Sequence, residues 1–242
     1  MDAFKNEMTE VFEIYENISE LIEKGTFVYS VDEKMGIGAR EHINEKQPMK
    51  SGKVERVDPE YIRHGVTGII ASFEVVTGKI IAPMVQPSRT EVDFVSHIER
   101  VIRMNDGKKH IFILDNLNTH LSESLVRLVA EYEGLDICDL GVKGKSGILK
   151  NKTSRKKFLR NKDHLIQFVY TPKHCSWLNQ IECWFSIITR RLLNKRSSFK
   201  SISELDRKIR NFIDYYNEFL SKPFNWNNSG KFLRFDLYLV GK

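Results

Sequence analysis

The sequence predicts a single α/β domain built on a mixed sheet of about five strands. Three observations carry this expectation. Apolar runs rich in β-branched and aromatic residues at 26–31, 66–76, 79–85, 110–114 and 165–170 have the length and composition of strands. Amphipathic runs at helical spacing separate or flank them, giving the order helix, strand, hairpin, helix, strand, helix, strand, helix, helix, which suits one layered α/β domain. The chain has 242 residues, 41% of them hydrophobic, enough for one proper core, and no repeat, low-complexity tract or dividing linker interrupts it.

Residues 2–24 read as one helix, with Phe4, Met8, Val11, Phe12, Tyr15, Ile18, Leu21 and Ile22 in one stripe and Gly25 ending it. The first strand follows and is expected to end at Asp32 and Glu33. Residues 34–61 are polar, with glycines and two prolines, and read as irregular or as a loose hairpin. Thr77-Gly78 joins the next two strands as a hairpin turn. Residues 90–104 form a helix with Val92, Phe94, Val95, Ile98, Val101 and Ile102 inward, stopped by Asn105-Asp106-Gly107. The strand from His110 ends at Asp115-Asn116, and a helix over 121–132 follows, with Leu121, Leu125, Leu128 and Val129 at helical spacing. The last strand halts at Thr171-Pro172. A helix starts at Asn179, with Ile181, Trp184, Phe185, Ile188 and Leu192 on one side, and 202–220 forms another. Trp177 and Trp184 read as core residues rather than base-stacking platforms.

Several classes are excluded. Three cysteines in a chain this long make no disulfide framework and fit a reducing cytoplasm. The spacing of His174, Cys175 and Cys183 matches no paired zinc-ligand pattern. The amino terminus is acidic and amphipathic, unlike a signal peptide. No apolar run approaches the ~18 residues of a membrane span.

The net charge of +6 is carried by one segment. Between Gly141 and Asp163 lie Lys143, Lys145, Lys150, Lys152, Arg155, Lys156, Lys157, Arg160 and Lys162, nine basic residues against one acidic. A solvated loop would not need so many like charges, so a polyanion, most naturally nucleic acid, is the expected partner.

Three acids frame the chemistry. Asp115 follows a strand that reads as buried on both faces, so it must sit at the strand's mouth or meet a positive charge. A polar residue at a strand's carboxyl end is where open α/β sheets place their sites. Asp32 ends a second strand with the same grammar, and Glu182 lies on the first turn of a helix after a third. If the first two strands are neighbours, their ends lie ~5 Å apart. Acids that close repel unless a cation holds them, and hard oxygen ligands suit magnesium or manganese. Two such ions can serve both sides of a phosphodiester under attack. Simpler roles stand beside this reading. Asp115 and Asn116 can make an Asx turn and cap the next helix. Asn179 and Glu182 have capping-box spacing. His120 can bond near the site or cap its helix. Glu33, pointed away from Asp32 by strand alternation, reads as a supporting or surface acid.

The three stretches resemble the catalytic domain of bacterial insertion-sequence transposases of the mariner-like DDE superfamily. The matching pieces are Val31-Asp32-Glu33-Lys34 after a strand, Ile113-Leu114-Asp115-Asn116 with His120, and Tyr170-Thr171-Pro172 with Leu178-Asn179-Gln180-Ile181-Glu182. The resemblance implies a ribonuclease-H-like fold and metal-dependent DNA cleavage and strand transfer. Asp32, Asp115 and Glu182 would hold two magnesium or manganese ions, supported by Glu33, Asn116, His120 and Asn179. It also implies element-end and target DNA as partners; on charge, the expected contacts are Lys150, Lys152, Arg155, Lys156, Lys157 and Arg160 of the basic segment, with Arg190 and Arg191 after Glu182. A homodimer in the DNA complex is implied as well, with no membrane and no small-molecule cofactor, in a cytoplasmic protein that joins the nucleoid when bound to DNA.

Two departures from the family pattern stand out. Gln180 replaces a usual proline, and 66 residues separate Asp115 from Glu182, far more than the family keeps. The excess coincides with the basic segment, read as an insertion at about 134–164, which loop-closure cost tolerates. Too few residues precede the first strand to hold helix-turn-helix modules, so 1–242 is expected to be the catalytic domain alone. The competing readings are a ribonuclease-H-like nuclease and an inactive or truncated relic that only binds DNA.

Overall fold

The computed structural model describes residues 2–44, 49–54 and 59–223. The strands are β1 (Thr26–His42), β2 (Tyr61–Glu74), β3 (Ile80–Gln86), β4 (Lys109–Leu114) and β5 (Ile166–Tyr170). The helices are α1 (Asp2–Glu16), α2 (Ile18–Glu23), α3 (Glu91–Arg103), α4 (Glu123–Tyr132), α5 (Lys152–Leu159), α6 (Ile181–Arg191) and α7 (Ile202–Tyr215). The strands form one mixed sheet in the order β3-β2-β1-β4-β5. β1 runs antiparallel to β2 and parallel to β4; β2 is antiparallel to β3 and β4 parallel to β5.

Strand alternation sorts the core into two layers. Tyr29 and Val31 of β1, with Phe112, Leu114, Phe168 and Tyr170, face α3, α4 and α5. Val28, Ile111, Ile113 and Val169 face α1 on the other side, where α6 and α7 cover Ile37, Ala39, Ile69 and Ala71. Tyr29, Phe112 and Phe168 lie in register across β1, β4 and β5, with ring centroids 5.4 and 5.3 Å apart. Cross-strand aromatic pairs of this kind stabilise by about 0.5–1.5 kcal/mol each beyond area burial.

Several boundaries differ from expectation. The amino-terminal helix breaks at Asn17 into two, and Phe4 and Ile22 of its stripe are exposed. β1 does not stop at Asp32 but continues to His42, paired with a β2 that starts at Tyr61. The polar stretch therefore supplies the outer half of β1 and the first residue of β2. It carries no clear periodicity because two register irregularities, between Lys34 and Ile37 and between Ala39 and Arg40, interrupt the ladder. The final helix ends at Tyr215 and passes into one π turn, Tyr216–Leu220. The tail reading beyond residue 223 lies outside the described residues.

The basic segment is folded onto the core. Residues 137–159 contribute two short 3-10 turns and α5, and Leu140, Leu149 and Leu159 are fully buried against α4 and its neighbours.

At the β2–β3 turn, Gly78 has φ +70°, and a Cβ there would lie 1.9 Å from the Lys222 carbonyl oxygen. Gly107 has the same φ with open space around it. Gly107→Ala should cost only the left-handed backbone penalty, roughly 1–2 kcal/mol. Gly78→Ala should cost that plus an overpacking penalty of roughly 1–3 kcal/mol. Urea midpoints of the two variants measure the difference, and equal losses would contradict the close approach of Lys222.

Candidate active site

The parallel β1–β4 ladder ends at the pair Ser30–Ile113. Past that point β1 stays with β2, where Asp32 pairs with Ala71, while β4 stays with β5 as far as Leu114–Tyr170. The two strands part, and the crevice between them receives Asp32 from mid-strand and Asp115 from the residue after β4. A crevice at the carboxyl ends of parallel strands is the usual ligand position in open sheets.

Asp115 makes the expected Asx turn, its Oδ1 accepting from the Leu117 amide at 2.9 Å. It does not cap α4; Ser122 does. The same Oδ1 accepts from His120 Nδ1 at 2.8 Å. On its other side, His120 Nε2 lies 3.3 Å from Glu33 Oε1. His120 is fully buried, its ring 4.3 Å from that of Phe94. Glu33 is only 1% exposed, so it is no surface acid, and its Oε2 has no hydrogen-bond partner among the described residues. Asp115 keeps 47% of its side chain exposed.

Burial disfavours the His120 imidazolium, but its bonds to Asp115 and Glu33 outweigh that and hold the pKa up at about 9. Burial also pushes Asp115 upward, yet the His120 bond and charge bring its carboxyl below the usual range. Asp32 is different. Burial first, then the charges of Asp115 and Glu33, raise it to about 7 despite the Glu33 amide bond that lowers it. Three carboxylates thus share one buried cation, an excess of negative charge that a metal ion would relieve.

Asn179 does not cap the third-acid helix. The residue at the cap is Gln180, which makes no side-chain capping bond. Asn179 is buried and turned into the sheet, its Nδ2 donating to Val31 O at 3.0 Å and Asp32 Oδ2 at 3.3 Å. Its Oδ1 accepts from Ser30 Oγ, and that hydroxyl accepts from the Ile181 amide at 2.8 Å. This clamp fixes the start of α6 against β1 and so sets where Glu182, exposed on the first turn, can reach. Ser30, a small hydroxyl residue at a fully buried position of an otherwise mostly apolar run, is the one sequence signal of this clamp. Tyr15 adds a hydrogen bond to Leu178 O at 2.8 Å.

Asp115 is brought close enough to Asp32 for its charge to raise the Asp32 carboxyl, but the third acid does not complete a closed set. Among the described residues, no three His, Cys, Asp or Glu side chains converge as a ready metal cluster.

The other expected residues divide. Asn116 Nδ2 donates to Thr171 O at 2.8 Å, and its Oδ1 accepts from Lys156 Nζ at 2.6 Å. Lys156 also pairs with Glu7 at 2.6 Å, and Arg160 pairs with Glu10. Arg155 donates to Leu121 O at 2.7 Å and Leu149 O at 3.1 Å. Lys156 and Arg155 thus brace the Asp115–His120 loop and the residue after it, while Arg160 ties α5 to α1. Lys150, Lys152 and Lys157 are exposed, as are Arg190 and Arg191. Trp184 is core, but Trp177 is 46% exposed beside Phe12, against expectation. Arg155→Gln should therefore destabilise the fold by about 1–3 kcal/mol through its unpaired carbonyl partners, whereas Lys157→Gln should leave the urea midpoint unchanged.

An acidic crevice where parallel strands part, in a mixed five-stranded sheet covered by helices on both faces, defines a ribonuclease-H-like domain. Residues 27–206 match the model of the DDE superfamily endonucleases, and the chain belongs to that family. The fold is that of the Mos1 transposase catalytic domain. In the Mos1 paired-end complex with left transposon end, the TM-score is 0.54 at 13% identity, over 91% of this chain and 55% of that one. The Mos1 mariner paired-end complex with Mn gives 0.54 at 13%, over 89% and 55%. The Mos1 catalytic domain with Raltegravir and Mg gives 0.50 at 10%, over 93% and 88%. The chain thus spans about 55% of the longer Mos1 chains and matches most of the catalytic domain. No curated protein matches it by sequence. No helix among the described residues is long and apolar enough to cross a membrane.

Proposed function

We propose that this domain cleaves DNA at the ends of a mobile element and joins those ends to target DNA. The reading rests above all on the crevice that sets Asp32 beside Asp115, with Glu182 on the helix clamped to β1. The family membership agrees with it.

We infer that Asp32, Asp115 and Glu182 hold two divalent ions, magnesium or manganese. The donor set fits: hard carboxylate oxygens, an excess of negative charge, and one buried acid that ionises only near neutrality. Bound ions there supply Lewis acidity toward a phosphodiester oxygen and offset its repulsion from the carboxylates. The chain's own groups do the rest. His120 fixes the Asp115 carboxylate through Nδ1 and is itself held by Glu33. Asn179 orients Asp32. The Ser30 clamp keeps α6, and so Glu182, on the sheet.

Mos1 forms a paired-end complex, and we infer that two copies of this chain likewise act together on two ends, in the cytoplasm at the nucleoid. The test is incubation with labelled element-end duplex. Cleavage should appear with magnesium or manganese and vanish with chelator. No cleavage with either ion would sink the reading in favour of a DNA-binding relic, and cleavage confined to an RNA–DNA hybrid would favour a ribonuclease.

A further inference from the structure

We propose that a second, basic groove, distinct from the 143–162 segment, holds the phosphodiester backbone of the DNA as it leaves the acidic crevice. The inference rests on the DNA-cleaving reading and names where that substrate runs.

Beyond Asp32, β1 continues for ten more residues to His42. A groove of about 530 Å³ lies between this outer half and the chain around the end of α6. Lys34, Arg40 and His42 line it from the strand and Lys195 from the segment after α6; among the described residues no Asp or Glu lines it. A second depression of about 440 Å³ shares Asn194, Ser197 and Phe199 with the first. It adds Arg191, Arg196 and Lys208, again without an acid. The result is a strip that carries Lys34, Arg40, Arg191, Lys195 and Lys208, with no carboxylate among the described residues that line it. The acid next to Arg40 in sequence, Glu41, is engaged by His64 at 2.7 Å.

Two of the strand cations are positioned by aromatic rings. The Arg40 guanidinium sits 5.0 Å from the centroid of the Tyr61 ring, and Lys34 Nζ lies 5.9 Å from that of Phe185. An aromatic face steers a cation but leaves its charge available, unlike a carboxylate partner.

The floor is bare. Gly36 has φ +73° at the bulge, so its backbone already requires glycine. Gly38 has no such requirement, and a Cβ there would meet only the Arg40 side chain at 3.5 Å. A strand glycine with no conformational need marks close approach of another backbone. At ~3.3 Å per residue, the stretch from Lys34 to His42 offers room for several phosphates at the roughly 3.4 Å per-strand spacing of duplex DNA. Its near end is two residues from Asp32, so a strand lying in it leads into the crevice. That placement favours nucleic acid over an acidic peptide.

The test is the double variant Arg40→Gln, Lys195→Gln in the full chain, with binding of labelled duplex and single-stranded DNA followed over a salt series. Both side chains are exposed, so the melting midpoint should hold. Affinity should fall alike for unrelated sequences, and the slope of log affinity against log salt should become shallower by about two. Arg40→Lys should restore most of the slope. Loss of duplex binding alone, or of single-strand binding alone, identifies which form the groove holds. An unchanged slope and affinity would overturn the groove while leaving the DNA-cleaving reading intact if the wild-type protein still cuts. Absence of any DNA binding by the wild-type protein would overturn both. Binding of polyglutamate in preference to DNA, lost in the double variant, would overturn the groove's assignment to nucleic acid.

Discussion

Asp115→Asn is expected to leave the fold intact and reduce DNA cleavage by at least ~10²-fold, the scale on which one lost electrostatic contact to a transition state is felt. The amide keeps the carboxylate's shape, and its Oδ1 can still accept from the Leu117 amide that forms the Asx turn. What disappears is the negative charge that pairs with the His120 imidazolium and that would ligate a cation. Asp32→Asn should behave similarly, since the amide copies the protonated form of an acid already raised to about 7. Glu182→Gln separates two views of the third acid. If the exposed Glu182 turns inward when ions bind, its loss should match that of the other two. If the crevice works with Asp32 and Asp115 alone, Glu182→Gln should cut normally. Cleavage by Asp115→Asn at the wild-type rate under manganese would remove Asp115 from the machinery. A melting midpoint well below wild type would instead expose a structural role for its charge.

The parts of this fold legible in sequence are those whose signal is local. The runs ending at Leu114 and Tyr170 are buried strands and read as such because they are almost continuously apolar, with Gln167 the one amide among them. The helix after Thr90 has its cap and its Asp93 partner within one turn. The outer halves of β1 and β2 were illegible because they stabilise each other across two register irregularities rather than against a continuous apolar face. In the site, the acids and His120 could be picked out from residue type and strand position. The role of Asn179 could not. Its spacing to Glu182 imitates a capping box, while its true partner, Ser30, is 149 residues away. The basic segment misled for a related reason. Its charge density hid three core leucines, and the acids that engage Lys156 and Arg160 lie in α1, outside any local window. Trp177 shows the limit of composition rules, since a large aromatic is usually buried but need not be.

Magnesium should stabilise the protein increasingly as pH rises through neutrality, and the ionisation of Asp32 sets the window. Its carboxyl titrates at 3.8 when unperturbed and at about 7 in the fold. Between those values the folded state holds a proton that the unfolded chain has released. Stability from this group is therefore fully present below the unfolded value and is lost as pH rises through about 7. His120 has the same sign at higher pH: raised from 6.5 to about 9, its contribution is present below the lower value and lost through the upper one. Asp115 has the opposite sign and loses its contribution only in acid, where its depressed carboxyl protonates. In chelator the melting midpoint should thus decline from mildly acidic to mildly alkaline pH. A divalent ion that uses Asp32 must displace its proton, so below about 7 binding competes with protonation, and above it binding is free of that cost. Because the ion binds only the native state, its stabilisation follows mass action. The increment in midpoint on adding magnesium should be small below neutrality and grow above it. Asp32→Asn should flatten both the decline in chelator and the growth with magnesium. An increment of equal size on both sides of neutrality would show that the ion, wherever it binds, does not use Asp32.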